Sequence, residues 1–217
     1  MLESQVMQRA PYTIRTMEYL DIPQVAQIDR EAFPGEWVFR SQASYKRDLD
    51  NPFVRYIVAS TKGDIPESET QTTPKPPWFK RLFNQDRSPD TQEHIIGFTG
   101  FWMMMREAHI IAIGVRDSYR RMGIGEALLI ATIDLAATLN ATVVTLEVRA
   151  SNEIAQALYR KYGFQVTGKR AKYYSSDGED AIIMSTENIG SPSFQASFHQ
   201  LKKAHAQRQH EIFAQVH

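Results

Sequence analysis

Arg116-Asp117-Ser118-Tyr119-Arg120-Arg121-Met122-Gly123-Ile124-Gly125 is the stretch on which the reading of this chain turns. Ahead of it, Glu107 to Val115 is a nearly continuous apolar run and reads as a strand. Behind it, Ile124, Leu128, Ala131, Leu135 and Leu139 recur at helical spacing on one face, and Asn140 suits a C-terminal stop. The decapeptide is therefore a glycine-bearing loop between a strand and a helix. The first N–H groups of a helix lack intrahelical partners, and the dipole there favours an anion. Gly123 and Gly125 let a ligand approach the backbone closely, and Arg120 and Arg121 add positive charge. A pyrophosphate suits such a site. The loop is not a P-loop, because Lys-Ser/Thr does not follow its second glycine. It is not the dinucleotide fingerprint either, because the third glycine is missing and several strands precede it. An ordinary glycine turn with solvated arginines would account for the same letters.

Upstream, residues 12–17 alternate and are β-rich, so they read as a short strand. Asp21 can N-cap a helix with Pro23 in its first turn, apolar through Val25, Ile28, Ala32 and Phe33 and ended by Pro34-Gly35. Ser41 to Leu49 reads as a second helix and Phe53 to Ser60 as a strand. Residues 61–93 hold five of the ten prolines and few aliphatics, a composition that cannot bury enough surface to offset ordering entropy. They read as a mobile insertion between strands. Trp78 to Phe83 forms an apolar island within it that could dock on the domain or on a partner. His94 to Met103 is a strand.

Downstream, Thr142 to Arg149 is a β-branched strand. Ser151 or Asn152 caps a helix that runs to Gly163. Phe164 to Tyr174 and Asp180 to Thr186 are strands joined through Asp177-Gly178, a favoured hairpin turn. After Ile189 the chain turns polar, but Phe194, Phe198, Leu201 and His205 keep helical spacing, so an amphipathic helix is expected. The order predicts a mixed α/β sheet, mostly antiparallel, with helices on its faces. It forms one domain over residues 12–188 with a tail over 189–217.

The 217 residues carry 25 Lys+Arg against 25 Asp+Glu. That balance gives no general basic surface for nucleic acid. Cysteine is absent, which excludes disulfides, thiolate catalysis and Cys-ligated zinc. No apolar run is long enough to span a membrane, and residues 1–10 are too polar for the core of a secretory signal. A cytoplasmic protein, monomeric or weakly dimeric, is expected. The six histidines have no metal-ligand spacing: His94 and His109 sit in strands, and His205, His210 and His217 look like tail polarity. No metal is expected.

Arg120-x-x-Gly123-x-Gly125 resembles the Q/R-x-x-G-x-G/A signature of the GNAT acetyltransferase superfamily, in the expected place between the fourth strand and the third helix. Leu146 to Asn152, Ala157-Leu158-Tyr159, Tyr162-Gly163-Phe164 and Asp177 to Met184 resemble the RimI-type ribosomal-protein alanine N-acetyltransferases. Upstream, Glu107 to Ile110, Ile113-Gly114-Val115 and Ala32-Phe33-Pro34 with Trp37 also fit. The resemblance covers residues 12–187 apart from the insertion.

It implies the GNAT fold and acetyl-CoA as co-substrate. It also implies that Arg120, Arg121, Met122, Gly123, Ile124, Gly125 and Glu126 bind the pyrophosphate. Main-chain groups of Ile113, Gly114 and Val115 should pair with pantetheine like an added strand. Two residues depart from the pattern. Gly114 stands where alanine is commoner and is expected to remove a methyl beside the cofactor. Glu126 stands where a basic or small residue is usual; an acid there suits a helix N-terminus in general but carries charge that repels phosphate.

By resemblance Glu147 is the general base, acting through water. Alternation supports this, because Val144, Leu146 and Val148 share one strand face and leave Glu147 on the other. The plainer reading is a rim carboxylate paired with Arg149 or a lysine. Tyr159 is the general acid by resemblance, and a core-edge ring is the plainer reading. Asn152 bonds pantetheine or caps its helix. Trp37, Tyr173 and Tyr174 are walls of a peptide groove or core aromatics. The function implied is Nα-acetylation of a protein N-terminus, with a ribosomal-protein alanine as acceptor. Lysine side chains, polyamines or other small amines are the alternative acceptors, and a non-catalytic CoA-binding module is the reading from another class.

Overall fold

The structure, a computed structural model, describes residues 12–34, 41–61 and 93–214. Trp37 and the insertion, with its Trp78–Phe83 island, lie outside the described residues.

Seven strands form one sheet in the order β1-β2-β3-β4-β5-β7-β6. They are β1 (Tyr12–Thr16), β2 (Val54–Thr61), β3 (His94–Met104), β4 (Glu107–Val115), β5 (Val143–Arg149), β6 (Phe164–Tyr174) and β7 (Glu179–Thr186). Every neighbouring pair is antiparallel except β4 with β5. The sheet is mixed and mostly antiparallel, as expected. The last residue of β2 and the first of β3, Thr61 and His94, are direct partners. The chain therefore leaves the sheet and returns to it at one place.

The helices divide the core in two. On one face α1 (Ile22–Ala32) and α2 (Gln42–Asp50) cover Tyr56, Val58, Ile95 and Phe98. Asp21 stands at the N-cap of α1, but its side chain makes no cap bond to that helix. Instead it accepts the Glu18 N–H at 2.8 Å and two bonds from Arg15. Ser41 caps α2 by accepting the Ser44 N–H at 3.1 Å. On the other face lie α3 (Ile124–Thr138), α4 (Glu153–Lys161) and α5 (Pro192–Ala214). Leu128, Leu129 and Ile133 of α3 meet Val144, Leu146 and Val148 of β5 there.

Two turns end as the residue types predict. Asn140, just past α3, takes φ 64°, and Gly163, just past α4, takes φ 84°. Both are left-handed positions that stop a helix.

The C-terminal helix is long and belongs to the body of the protein. Phe194 and Phe198 are 5% and 4% exposed and join the core cluster, with Leu201 packed beside them. The spacing Phe194, Phe198, Leu201, His205 thus marks the buried side. His205 and Gln209 continue it at 7% and 5% exposure. Reading His205 as tail polarity is therefore corrected: its place on the apolar stripe carries it under the helix, onto α3.

Candidate active site

β4 and β5 run side by side only from Glu107↔Val143 to Ile110↔Leu146. Beyond that they part, while β4 stays paired with β3 as far as Val115. Among the described residues no strand pairs with the β5-facing edge of Ile113–Val115. A backbone edge left open inside a sheet can take an extended ligand as an added strand. The glycine loop closes the same end of the cleft, because it follows β4 directly.

In that loop Arg121 and Gly123 both adopt positive φ, 65° and 78°. Left-handed residues in a turn direct successive N–H groups into a concavity that accepts an anion. The first bond of α3 runs from the Ala127 N–H to the Gly123 carbonyl at 3.0 Å. The N–H groups of Ile124, Gly125 and Glu126 therefore lie ahead of the helical ladder. A Cβ at Gly125 would meet only Val115 Cγ2, at 3.7 Å. Protein packing does not demand glycine there; the space is left for something else to approach. The loop fits a pyrophosphate on these grounds.

The arginines divide their work. Arg120 and Arg121 are exposed, and Arg120 reaches Asp117 at 2.7 Å. Arg116 is 3% exposed. It donates to the Ile95 carbonyl at 2.9 Å and meets Glu31 at 3.3 Å, so it ties the end of β4 to β3 and α1.

Both expectations about the departures from the family pattern are revised. A Cβ on Gly114 would come within 2.8 Å of Phe98 Cε1 and 3.4 Å of Ile28 and Ala32. The missing methyl faces the core under α1, where Phe98, the β3 partner of Gly114, fills its place. Glu126 is turned away from the loop mouth. Its carboxylate accepts from Lys161 at 2.5 Å, Tyr162 at 2.6 Å and Arg208 at 2.8 Å, and meets His205 at 3.4 Å. Burial works to raise its pKa, but His205, Lys161 and Tyr162 outweigh it and hold the carboxyl far below the usual range. Its charge is thus offset by α4 and α5.

Glu147 lies one residue past the point where β4 and β5 part, on the face away from Val144, Leu146 and Val148. Its side chain is 8% exposed and bound on both oxygens, to His109 Nε2 at 2.9 Å and Arg170 at 3.0 Å. The His109 hydrogen bond lowers its pKa most, against burial, and Arg170 adds to the effect. The carboxylate is therefore ionised throughout the neutral range. His109 is braced in turn by Trp102, with ring centroids 5.9 Å apart. Reading His109 as only a strand residue missed this contact. The strand was legible, but the register that sets His109 opposite Thr145, two residues before Glu147, was not. Nor are the partners Arg149 or a lysine.

Arg149 instead pairs with Asp177 at 2.9 Å and Glu179 at 2.8 Å, and its guanidinium lies 4.0 Å over Tyr174. Glu179 also accepts the Ser151 N–H at 2.6 Å. These contacts lock the β6–β7 hairpin against the start of α4. They present Tyr173, 46% exposed, and half-buried Tyr174 as a perpendicular pair at 5.2 Å. Tyr173 is thus no core aromatic.

Tyr159 packs its ring on Phe164 at 5.7 Å against the α3–α4 core. Burial pushes its phenol up to about 12, so it stays protonated at neutral pH. Asn152 caps α4, its Oδ1 accepting the Ala155 N–H at 3.1 Å, which leaves its amide N–H₂ to other partners.

Among the described residues no helix is long and apolar enough to cross a membrane. Residues 22–164 match the Acetyltransferase (GNAT) family. The chain is 31% identical over 171 residues to a putative [ribosomal protein bS18]-alanine N-acetyltransferase of Bacillus subtilis, covering 79% of this chain and 92% of that one. It is 30% identical over 189 residues to the N-alpha-acetyltransferase RimI of Mycobacterium tuberculosis, covering 84% and 96%. Among solved structures, the ribosomal-protein-S18-alanine N-acetyltransferase from Escherichia coli superposes with a TM-score of 0.59 at 26% identity, over 82% of this chain and 94% of that one. A sheet that splits beside a helix-borne anion loop and a motif match over most of the chain lead to one conclusion: the chain belongs to the GNAT acetyltransferase family and is an N-acetyltransferase similar to the RimI-type enzymes.

Proposed function

We propose that this protein acetylates the α-amine of a protein N-terminus, with the N-terminal alanine of a small-subunit ribosomal protein as acceptor. The observation that carries the reading is Glu147: an ionised carboxylate just past the strand split, held from two sides. The bacterial relatives named for bS18 alanine support the choice of acceptor.

Acetyl-CoA, which this family uses, supplies an activated acetyl group as a thioester. Residues 120–126 hold its pyrophosphate, the Ile113–Val115 edge and Asn152 hold the pantetheine arm, and main-chain N–H there polarises the carbonyl. Glu147 takes a proton from the incoming ammonium, through water, so that the amine attacks as a neutral nucleophile. An α-amine titrates near 8, so a modest base suffices. Tyr159, protonated at working pH, supplies the proton that the departing thiolate needs. Tyr173 and Tyr174 border the groove for the acceptor peptide.

A panel of N-terminal peptides and small amines, assayed with acetyl-CoA for thiol release, tests the reading. An Ala-initiated ribosomal peptide should exceed polyamines and lysine side chains in kcat/KM. Preference for a small amine overturns the acceptor assignment, and no turnover with any amine overturns catalysis itself.

A further inference from the structure

The C-terminal helix reaches the cofactor loop. Gln209 Nε2 donates to the Met122 carbonyl at 2.9 Å across 87 residues of chain. A Cβ on Gly123 would run into that same Gln209 amide and come within 3.2 Å of His205 Cε1. The left-handed loop and α5 are thus fitted to each other. Glycine at 123 serves the helix packing as well as the turn.

Two buried polar atoms on this side of α5, His205 Nε2 and Gln209 Oε1, have no hydrogen-bond partner among the described residues. They belong to side chains more than nine-tenths buried. Buried polar atoms are as a rule satisfied, so these two call for a partner beyond the described side chains. Next to them Glu126 gathers Lys161 and Tyr162 from around the end of α4 and His205 and Arg208 from α5. One carboxylate joins the start of α3 to both helices.

We propose that α5 is a working part of the cofactor site. Gln209 is a positioning residue that holds the Met122 carbonyl back, so that the loop N–H groups keep their anion-binding arrangement. His205 and Arg208 hold Glu126 out of the way. The inference rests on the reading that the loop binds the CoA pyrophosphate. By linkage, CoA bound at the loop steadies α5, and a docked α5 tightens CoA.

The test uses direct CoA binding by calorimetry and hydrogen exchange along the chain, besides steady-state kinetics. Gln209→Met keeps the length and volume of the side chain and removes the donor. It should weaken CoA binding by about threefold to tenfold, the scale of one hydrogen bond. It should raise the KM for acetyl-CoA while leaving kcat and the peptide KM nearly unchanged. A chain ending at Lys203 keeps Phe194, Phe198 and Leu201 and should lose more than tenfold in CoA affinity. In the unaltered protein, CoA should slow amide exchange in residues 204–214. Wild-type affinity in Gln209→Met, with no CoA protection of α5, overturns the inference and leaves the proposed function standing. A wild-type protein that does not bind CoA overturns both.

Discussion

At Glu147 the chemistry depends on contacts that its own strand cannot supply. His109 and Arg170 orient the two oxygens and keep the group ionised. Glu147→Gln keeps the size and the acceptor oxygen but removes the proton acceptor. At pH near 6 most α-amine is protonated and needs a base; near 9 most is already neutral. The loss in kcat/KM should therefore be largest at low pH and shrink as pH rises. Because the Glu147 pKa lies below the ordinary carboxylate value of 4.5, the wild-type profile above pH 5 should follow the acceptor amine. Pairs of pH–rate profiles on one peptide decide this; a loss that stays constant with pH and appears in KM would make Glu147 a positioning group. Tyr159→Phe keeps the ring packed against Phe164 and removes only the hydroxyl. The rate should fall by about 10² to 10⁴ with little change in Tm. Near-normal kcat would reduce Tyr159 to its packing on Phe164.

Among elements, α3 depends most on its neighbours. Its N-terminus carries Glu126, whose depressed pKa is a statement about stability. A carboxyl with a lowered folded pKa stabilises the fold fully above its unfolded value near 4.5. That contribution is lost as pH falls from there toward the folded pKa. Glu126→Gln should therefore lower Tm at pH 7. Charged hydrogen bonds of this kind are worth roughly 1.5–3 kcal/mol, or about 3–12 °C for a chain this size. The difference from wild type should narrow as pH is taken below 4.5. Melting curves for both proteins between pH 3 and 7 test the sign, and a gap that persists in acid would mean that the helices are held by packing alone. Several helix limits were legible, because the cap at Asn152 and the stops at Asn140 and Gly163 are local chemistry readable from a few adjacent residues; Asp21, read as a cap, instead binds Arg15 and the Glu18 N–H.

For the molecule as a whole, the pairing of Thr61 with His94 brings the two ends of the insertion together at one edge of a hairpin. Replacing residues 64–91 with a short Gly/Ser linker should change Tm by only a few degrees, because closure entropy varies slowly with loop length. Thermal melting of the shortened chain measures it; a large drop would show Trp78, Phe79 and Phe83 to be core residues. The α/β order, the strand–loop–helix anion site, the face of β5 that carries Glu147 and the apolar stripe of the tail all follow from the sequence by itself. Each depends on residues close together in the chain, through periodicity, capping and turn chemistry. Only the tertiary structure decided that His109 and Arg170 hold Glu147, that Phe98 takes the place of a methyl at Gly114, and that Gln209 and Glu126 tie the last helix to the glycine loop. Those contacts join residues tens of positions apart, and a partner that distant is chosen by strand register and helix docking, which no local pattern encodes.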